Sequence, residues 1–225
     1  SIPVEVEAEA AVDPRQVEAD PKITAMAQSR CVTIVGDSNV RRHMSHNNIR
    51  DRPIMSSAQV LQCGRMSLLA TSLKSLRVES NVCVLSCVTN FITNTSGSSS
   101  VSLRVEPVLV DFLSKICEVA GSRPDVSFLI CPPMYRFTPI WYREGLPEVL
   151  KKFSDVMKNR PFNCHLMPSF PTPNYESDGI HLTAYSGFEF VLHLFDSLSL
   201  VLDNLQLEPE ARSMVVSESL RVPED

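Results

Sequence analysis

The chain has 225 residues, 44% of them hydrophobic and 21% charged, with a formal net charge of −5 at neutral pH. That length accommodates one domain with a substantial core plus tails, and the composition excludes a wholly disordered chain. The acidic balance gives no electrostatic reason for nucleic-acid binding, and no apolar run reaches the roughly 18 residues that a membrane-spanning helix needs. Residues 1–29 are acidic and poorly periodic, and are expected to form an N-terminal arm. The chain opens on Ser1 without an initiator methionine, which points to a fragment of a longer polypeptide, so a missing leader says little about location.

One domain is expected over residues 30–202. From Cys31 onward, short β-branched runs alternate with longer helical patterns. The expected strands are Cys31–Val35, Ala58–Gln62, Val82–Ser86, Val126–Cys131 and Asn163–Met167. Helical periodicity falls at Val40–His46, Ser67–Leu76, Val105–Ala120, Leu146–Lys158 and Thr183–Leu202. Strands that alternate with helices and read as continuous apolar runs predict an α/β fold with a parallel sheet covered on both faces. Two connections are long. Thr93–Ser100 is rich in Ser, and Cys131–Gly145 carries three prolines and four aromatics. Ligands of open α/β sheets bind outside the carboxyl ends of the strands, so the second loop is either a substrate wall or a surface loop packed by its own rings. Residues 203–225 read as a polar tail or linker.

The seven cysteines, Cys31, Cys63, Cys83, Cys87, Cys117, Cys131 and Cys164, mostly lie in or beside apolar elements. They form no CxxC pair and no cluster with zinc-ligand spacing, so reduced core thiols and an intracellular origin are expected, with no metal. His43, His46, His165 and His193 also lack ligand spacing and are expected to be structural.

The chemistry concentrates at strand ends. The apolar run Val32-Thr-Ile-Val35 stops at Gly36-Asp37-Ser38-Asn39, which places a serine where a helix can begin. Serine is a weak nucleophile until a base removes its proton, and a base needs a partner to fix its tautomer. Asp178-Gly-Ile-His181 supplies both types at a spacing that lets the carboxylate reach the imidazole. Gly64 follows the second strand and Asn90 the third, so both could donate to an oxyanion. Arg41, Arg42, His43, Arg50 and Arg52 follow the serine, with Arg65 beside Gly64. They read either as a solvated helix face or as a patch for an anionic substrate or partner, which Arg136 could join.

These blocks together resemble the SGNH (GDSL-type) hydrolases over about Cys31 to Leu202. Gly36-Asp37-Ser38-Asn39 is similar to the nucleophile block, and Asp178-Gly-Ile-His181-Leu182 to the final Asp-x-x-His block. Gly64 and Asn90 fit the second and third. The third block departs from the usual Gly-x-Asn-Asp, reading Val88-Thr89-Asn90-Phe91. The resemblance implies a three-layer α/β/α sandwich with a five-stranded parallel sheet in flavodoxin-like order. It implies Ser38 as nucleophile, His181 as base and Asp178 as its orienter, with Ser38 and Gly64 N–H and the Asn90 amide as oxyanion hole. Asn39, Phe91, Tyr135, Arg136 and Trp141 are candidate substrate contacts. The implied activity is hydrolysis of a carboxylic ester, such as an O-acetyl group on a small ester, glycan or lipid, without a cofactor. A second reading is a catalytically silent module that binds RNA or protein, as some relatives of this fold do. Either could be one domain of a mobile-element or viral polypeptide.

Overall fold

A computed structural model describes residues 31–44, 58–171, 173–198 and 200. The expected N-terminal arm and C-terminal tail, together with His46, Arg50 and Arg52, lie outside the described residues. Strand β1 (Val32–Gly36) leads into helix α1 (Ser38–Met44), and β2 (Gln59–Gln62) into α2 (Met66–Lys74). Then follow β3 (Val82–Ser86), α3 (Val88–Thr93), α4 (Val101–Ser122), β4 (Ser127–Ile130), α5 (Ile140–Met157) and β5 (Cys164–Leu166). A last helix, α6, runs over 184–198.

The strands form one parallel sheet in the order β2-β1-β3-β4-β5. Their period of two explains the layers. Val35, Cys83, Leu85, Phe128 and Ile130 face one way, into a core shared with Leu69 of α2, Phe112 of α4 and Phe153 of α5. Val32, Ile34, Val84 and Leu129 face the other way, onto Val40 of α1 and Phe190, Leu194 and Leu198 of α6. β1 and β3 are buried along their whole length, as strands covered on both sides must be, whereas β2 alternates half-buried and exposed at the sheet edge.

Several boundaries differ from expectation. α4 starts at Val101, because Ser100 caps it by accepting the Leu103 N–H, so Pro107 lies inside the helix. α5 starts at Ile140 with Pro147 inside, which shortens the loop expected over Cys131–Gly145. Both prolines sit on exposed positions, where a carbonyl left without its helical donor can reach water. α3 has no counterpart among the expected helices. It is short and rich in β-branched residues, which individually disfavour helix.

Candidate active site

The glycine that ends β1 permits a close strand-to-helix turn. A Cβ on Gly36 would lie 2.5 Å from Cβ of Val40, so no side chain fits between strand and helix. Asp37 then caps α1. Its Oδ1 accepts the Asn39 N–H at 2.9 Å, and its carbonyl accepts the Arg41 N–H at 3.1 Å. Ser38 is thereby held, half-buried, in the first turn of α1, where backbone N–H groups favour negative charge.

The candidate base, His181, comes from the loop before α6. Oδ1 of Asp178 accepts the N–H groups of Ile180 at 2.8 Å and His181 at 2.9 Å, a local turn that needs Gly179 at φ +65°. Oδ2 lies 2.5 Å from Nδ1 of His181, and Nε2 of that ring lies 3.2 Å from Oγ of Ser38. The His181 backbone N–H first, its ring next and the Ile180 N–H hold the Asp178 carboxyl well below the usual carboxylate range. An ionised Asp178 only accepts, so it selects the tautomer with hydrogen on Nδ1 and leaves Nε2 to accept from the serine. Ser38, His181 and Asp178 thus form one hydrogen-bonded chain.

Register brings the remaining donors to the same rim. Gly36 pairs with Gln62 on one side and Ser86 on the other, so Gly64 and Asn90, shortly after those residues, flank the serine end of β1. The Asn90 side-chain amide makes no hydrogen bond among the described residues. The residues that follow this pair in the chain, Arg65 and Phe91, line a cavity of about 380 Å³ together with Met66, Asn94 and Val108 among others.

Other expected contacts fall elsewhere. Asn39 is fully buried, and its amide is spent on the backbone of Ile180 and Leu182, so it cannot line a substrate wall. Phe91 is buried edge-on to Phe112 of α4, and it also lines the cavity that Arg65 and Met66 wall. Arg136 neither faces substrate nor joins an anionic patch. It is 3% exposed and donates to Oδ2 of Asp37 at 3.0 Å and to Thr93 Oγ1 at 3.3 Å. Trp141 lies under the Arg104 guanidinium, 4.3 Å from its ring centre. Tyr135 stays near the base loop, its ring against Phe137 and Tyr175 at 5.4 and 6.4 Å. Phe137 in turn borders Gly179.

Of the basic cluster, Arg41 donates to Gln62 at 2.6 Å and Arg42 pairs with Glu176 at 3.0 Å, while Arg65 is exposed beside Gly64. Burial pushes the Asp37 carboxyl up, and the guanidinium of Arg136 opposes that. This buried pair beside Ser38 has no local sequence signal beyond an arginine among aromatics. All seven cysteines are unbridged, and five of them are buried. Among the described residues, no group of three or more His, Cys, Asp or Glu side chains could hold a metal ion, and no helix is long and apolar enough to cross a membrane.

This architecture is the three-layer α/β/α fold of the SGNH hydrolases, with the sheet order expected for it. No family model matches the chain, and no curated protein does. Among solved structures it is similar to a Streptococcus pneumonia protein whose assignment as a platelet activating factor is itself provisional. That match has a TM-score of 0.53 at 14% identity, covering 78% of this chain and 91% of the other. It is also similar to a family two carbohydrate esterase from Clostridium thermocellum in complex with cellohexaose, at TM-score 0.52 and 14% identity, over 77% of this chain. An active-site mutant of a family two carbohydrate esterase from Clostridium thermocellum aligns at TM-score 0.51 and 14% identity, over 78% of this chain. The chain spans 65% and 64% of the length of those two esterase structures, less than two thirds.

Proposed function

We propose that this chain is a serine esterase that hydrolyses a carboxylic ester with a small acyl group, O-acetyl in the first instance. The observation that carries the reading is the unbroken chain from Ser38 Oγ to His181 Nε2 at 3.2 Å and from His181 Nδ1 to Asp178 Oδ2 at 2.5 Å. Two of the structural neighbours are themselves carbohydrate esterases.

In this reading His181 Nε2 takes the Ser38 proton as Oγ attacks the ester carbonyl. The oxyanion is met by the Ser38 and Gly64 N–H groups and the Asn90 amide. The C–O bond to the alcohol then breaks, and the leaving oxygen takes the proton from His181. Water, deprotonated by the same ring, attacks the acyl-enzyme and returns Ser38 with release of the acid. Asp178 stays ionised and stabilises the imidazolium. The cavity walled by Arg65 and Phe91, the residues next to Gly64 and Asn90, supplies room for the acyl group. Glycan and lipid esters both present the required carbonyl.

The test is turnover of p-nitrophenyl acetate, abolished by Ser38→Ala, with a fluorophosphonate adduct mapping to Ser38. Equal rates for the two proteins, and no adduct, would reject the esterase. The nucleic-acid reading draws no support from the basic cluster, since Gln62 and Glu176 already engage Arg41 and Arg42.

A further inference from the structure

We propose that Asn39 is a positioning residue for the catalytic base, a two-ended clip that fixes His181 relative to the nucleophile. The inference rests on the reading of Ser38 and His181 as nucleophile and base. Asn39 is 0% exposed, so its amide must find partners inside the protein. Its Nδ2 donates to the carbonyl of Ile180 at 3.1 Å, and its Oδ1 accepts the N–H of Leu182 at 3.0 Å. These are the backbone groups on either side of His181. Ile180 offers only an acceptor there and Leu182 only a donor, so the chemistry fixes which way the amide points.

The clip closes a short mechanical path. Asn39 is covalently next to Ser38, and its own N–H is pinned by Oδ1 of Asp37 at 2.9 Å. One end of the base loop is held by the turn around Asp178, which sets the tilt of the ring through Nδ1. Asn39 holds the other end and sets how far the His181 backbone stands from α1. Two separate devices therefore determine the 3.2 Å contact between Oγ and Nε2. Few side chains can replace the amide. Aspartate has the same shape but turns an acceptor toward the Ile180 carbonyl. Leucine has a similar volume and neither group. Serine is too short, and glutamine is one methylene too long.

The experiment is a double-mutant cycle between Asn39 and His181, using p-nitrophenyl acetate. Asn39→Leu should lower kcat by on the order of 100-fold, the cost of a base about an ångström out of place, with KM changed less than about twofold. Asn39→Asp, which keeps the shape and the Leu182 contact, should fall between Leu and wild type. In a His181→Ala background, Asn39→Leu should cost nothing further in the residual rate, because the group it positions is gone. A merely structural role would lower both backgrounds by the same factor, and that result would overturn the proposal. So would full kcat in Asn39→Leu. Amide exchange at Leu182 separates this idea from the esterase reading, because it needs no turnover. Its N–H should exchange at least about tenfold faster in Asn39→Leu than in wild type, with the rest of the sheet still protected. Unchanged exchange at Leu182 would overturn the clip even in an active enzyme. Faster exchange in a protein with no Ser38-dependent turnover would keep the clip and reject the esterase.

Discussion

Nη2 of Arg136 donates to Oδ2 of Asp37 at 3.0 Å, and both side chains are buried, Asp37 directly before Ser38. The same guanidinium reaches Thr93, whose hydroxyl donates to the carbonyls of Thr89 and Asn90 on α3. One cation therefore ties the nucleophile turn to the helix of the third block. Removing one partner of a buried pair leaves the other desolvated and uncompensated, at a cost of about 3–5 kcal/mol. Arg136→Met should cost that much in urea unfolding. The double variant Asp37→Asn, Arg136→Met should recover part of it, because no charge is then stranded. A single variant within about 1 kcal/mol of wild type would show that water reaches the site.

The glycines of the first and second blocks behave differently, although the sequence presents them alike. A methyl on Gly36 meets Val40 at 2.5 Å, whereas nothing lies within 4 Å of one on Gly64. Gly36→Ala should push α1 off the sheet and cost about 1–3 kcal/mol, the usual range for overpacking. Its esterase rate should fall with Ser38 displaced. Gly64→Ala keeps its N–H and should stay within about 0.5 kcal/mol in thermal unfolding, with most of the activity retained. Large loss of activity in Gly64→Ala without loss of stability would mean that substrate itself occupies the open space.

How much of this was legible follows from range. β3 is found at Val82–Ser86 as read, because a continuous apolar run between polar residues depends only on its neighbours. Gly36-Asp37-Ser38 and Asp178-Gly-Ile-His181 are also local patterns, each set by a turn within a few residues. The Arg136–Asp37 pair spans 99 residues and the Asn39 contact to Leu182 spans 143, and no local pattern marks either. Local reading accordingly makes Asn39 a substrate contact, and Arg136 a substrate contact or a member of the anionic patch. The early turns of α4 and α5 were missed for another reason. Pro107 and Pro147 fit a first helical turn but oppose helix in the turn before them, and packing between the two helices overrides that.

The pH dependence of turnover should carry no contribution from Asp178 near the ordinary carboxylate range. Hydrogen bonds from the His181 backbone and ring and from Ile180 depress the Asp178 pKa, and a depressed carboxyl remains ionised as pH falls through the ordinary value of about 3.9. Asp178 should therefore add no proton of its own to the acid-side loss of kcat/KM. A plot of log kcat/KM against pH should show no additional break near the ordinary carboxylate value. An added break there would mean that Asp178 titrates in that range. Asp178→Asn, which presents the wrong tautomer to Ser38, should lower kcat by about 10⁴-fold.

Val108 of α4 and Met66 of α2 line the cavity that Arg65 and Phe91 also wall. If the acyl group occupies it, filling the space discriminates by chain length. Val108→Trp should leave p-nitrophenyl acetate turnover within about threefold of wild type and lower the hexanoate rate by about 10–200-fold, the range that small changes in an apolar pocket produce. Equal losses on both esters would place the acyl chain elsewhere.

Asn90 tests the third block directly. Its neighbours depart from the family pattern, with Val88 in place of the usual glycine and Phe91 in place of aspartate, and Phe91 is buried against Phe112. Neither change touches the donor that the chemistry needs, and the Asn90 amide is unspent among the described residues. Loss of one oxyanion donor typically costs about 10²–10³ in kcat, or about 2.7–4 kcal/mol of barrier. Asn90→Ala should fall in that range with little change in KM or unfolding midpoint, because a donor to the oxyanion acts on the transition state and not on the bound ester. A loss confined to KM would move Asn90 from the oxyanion to ground-state binding.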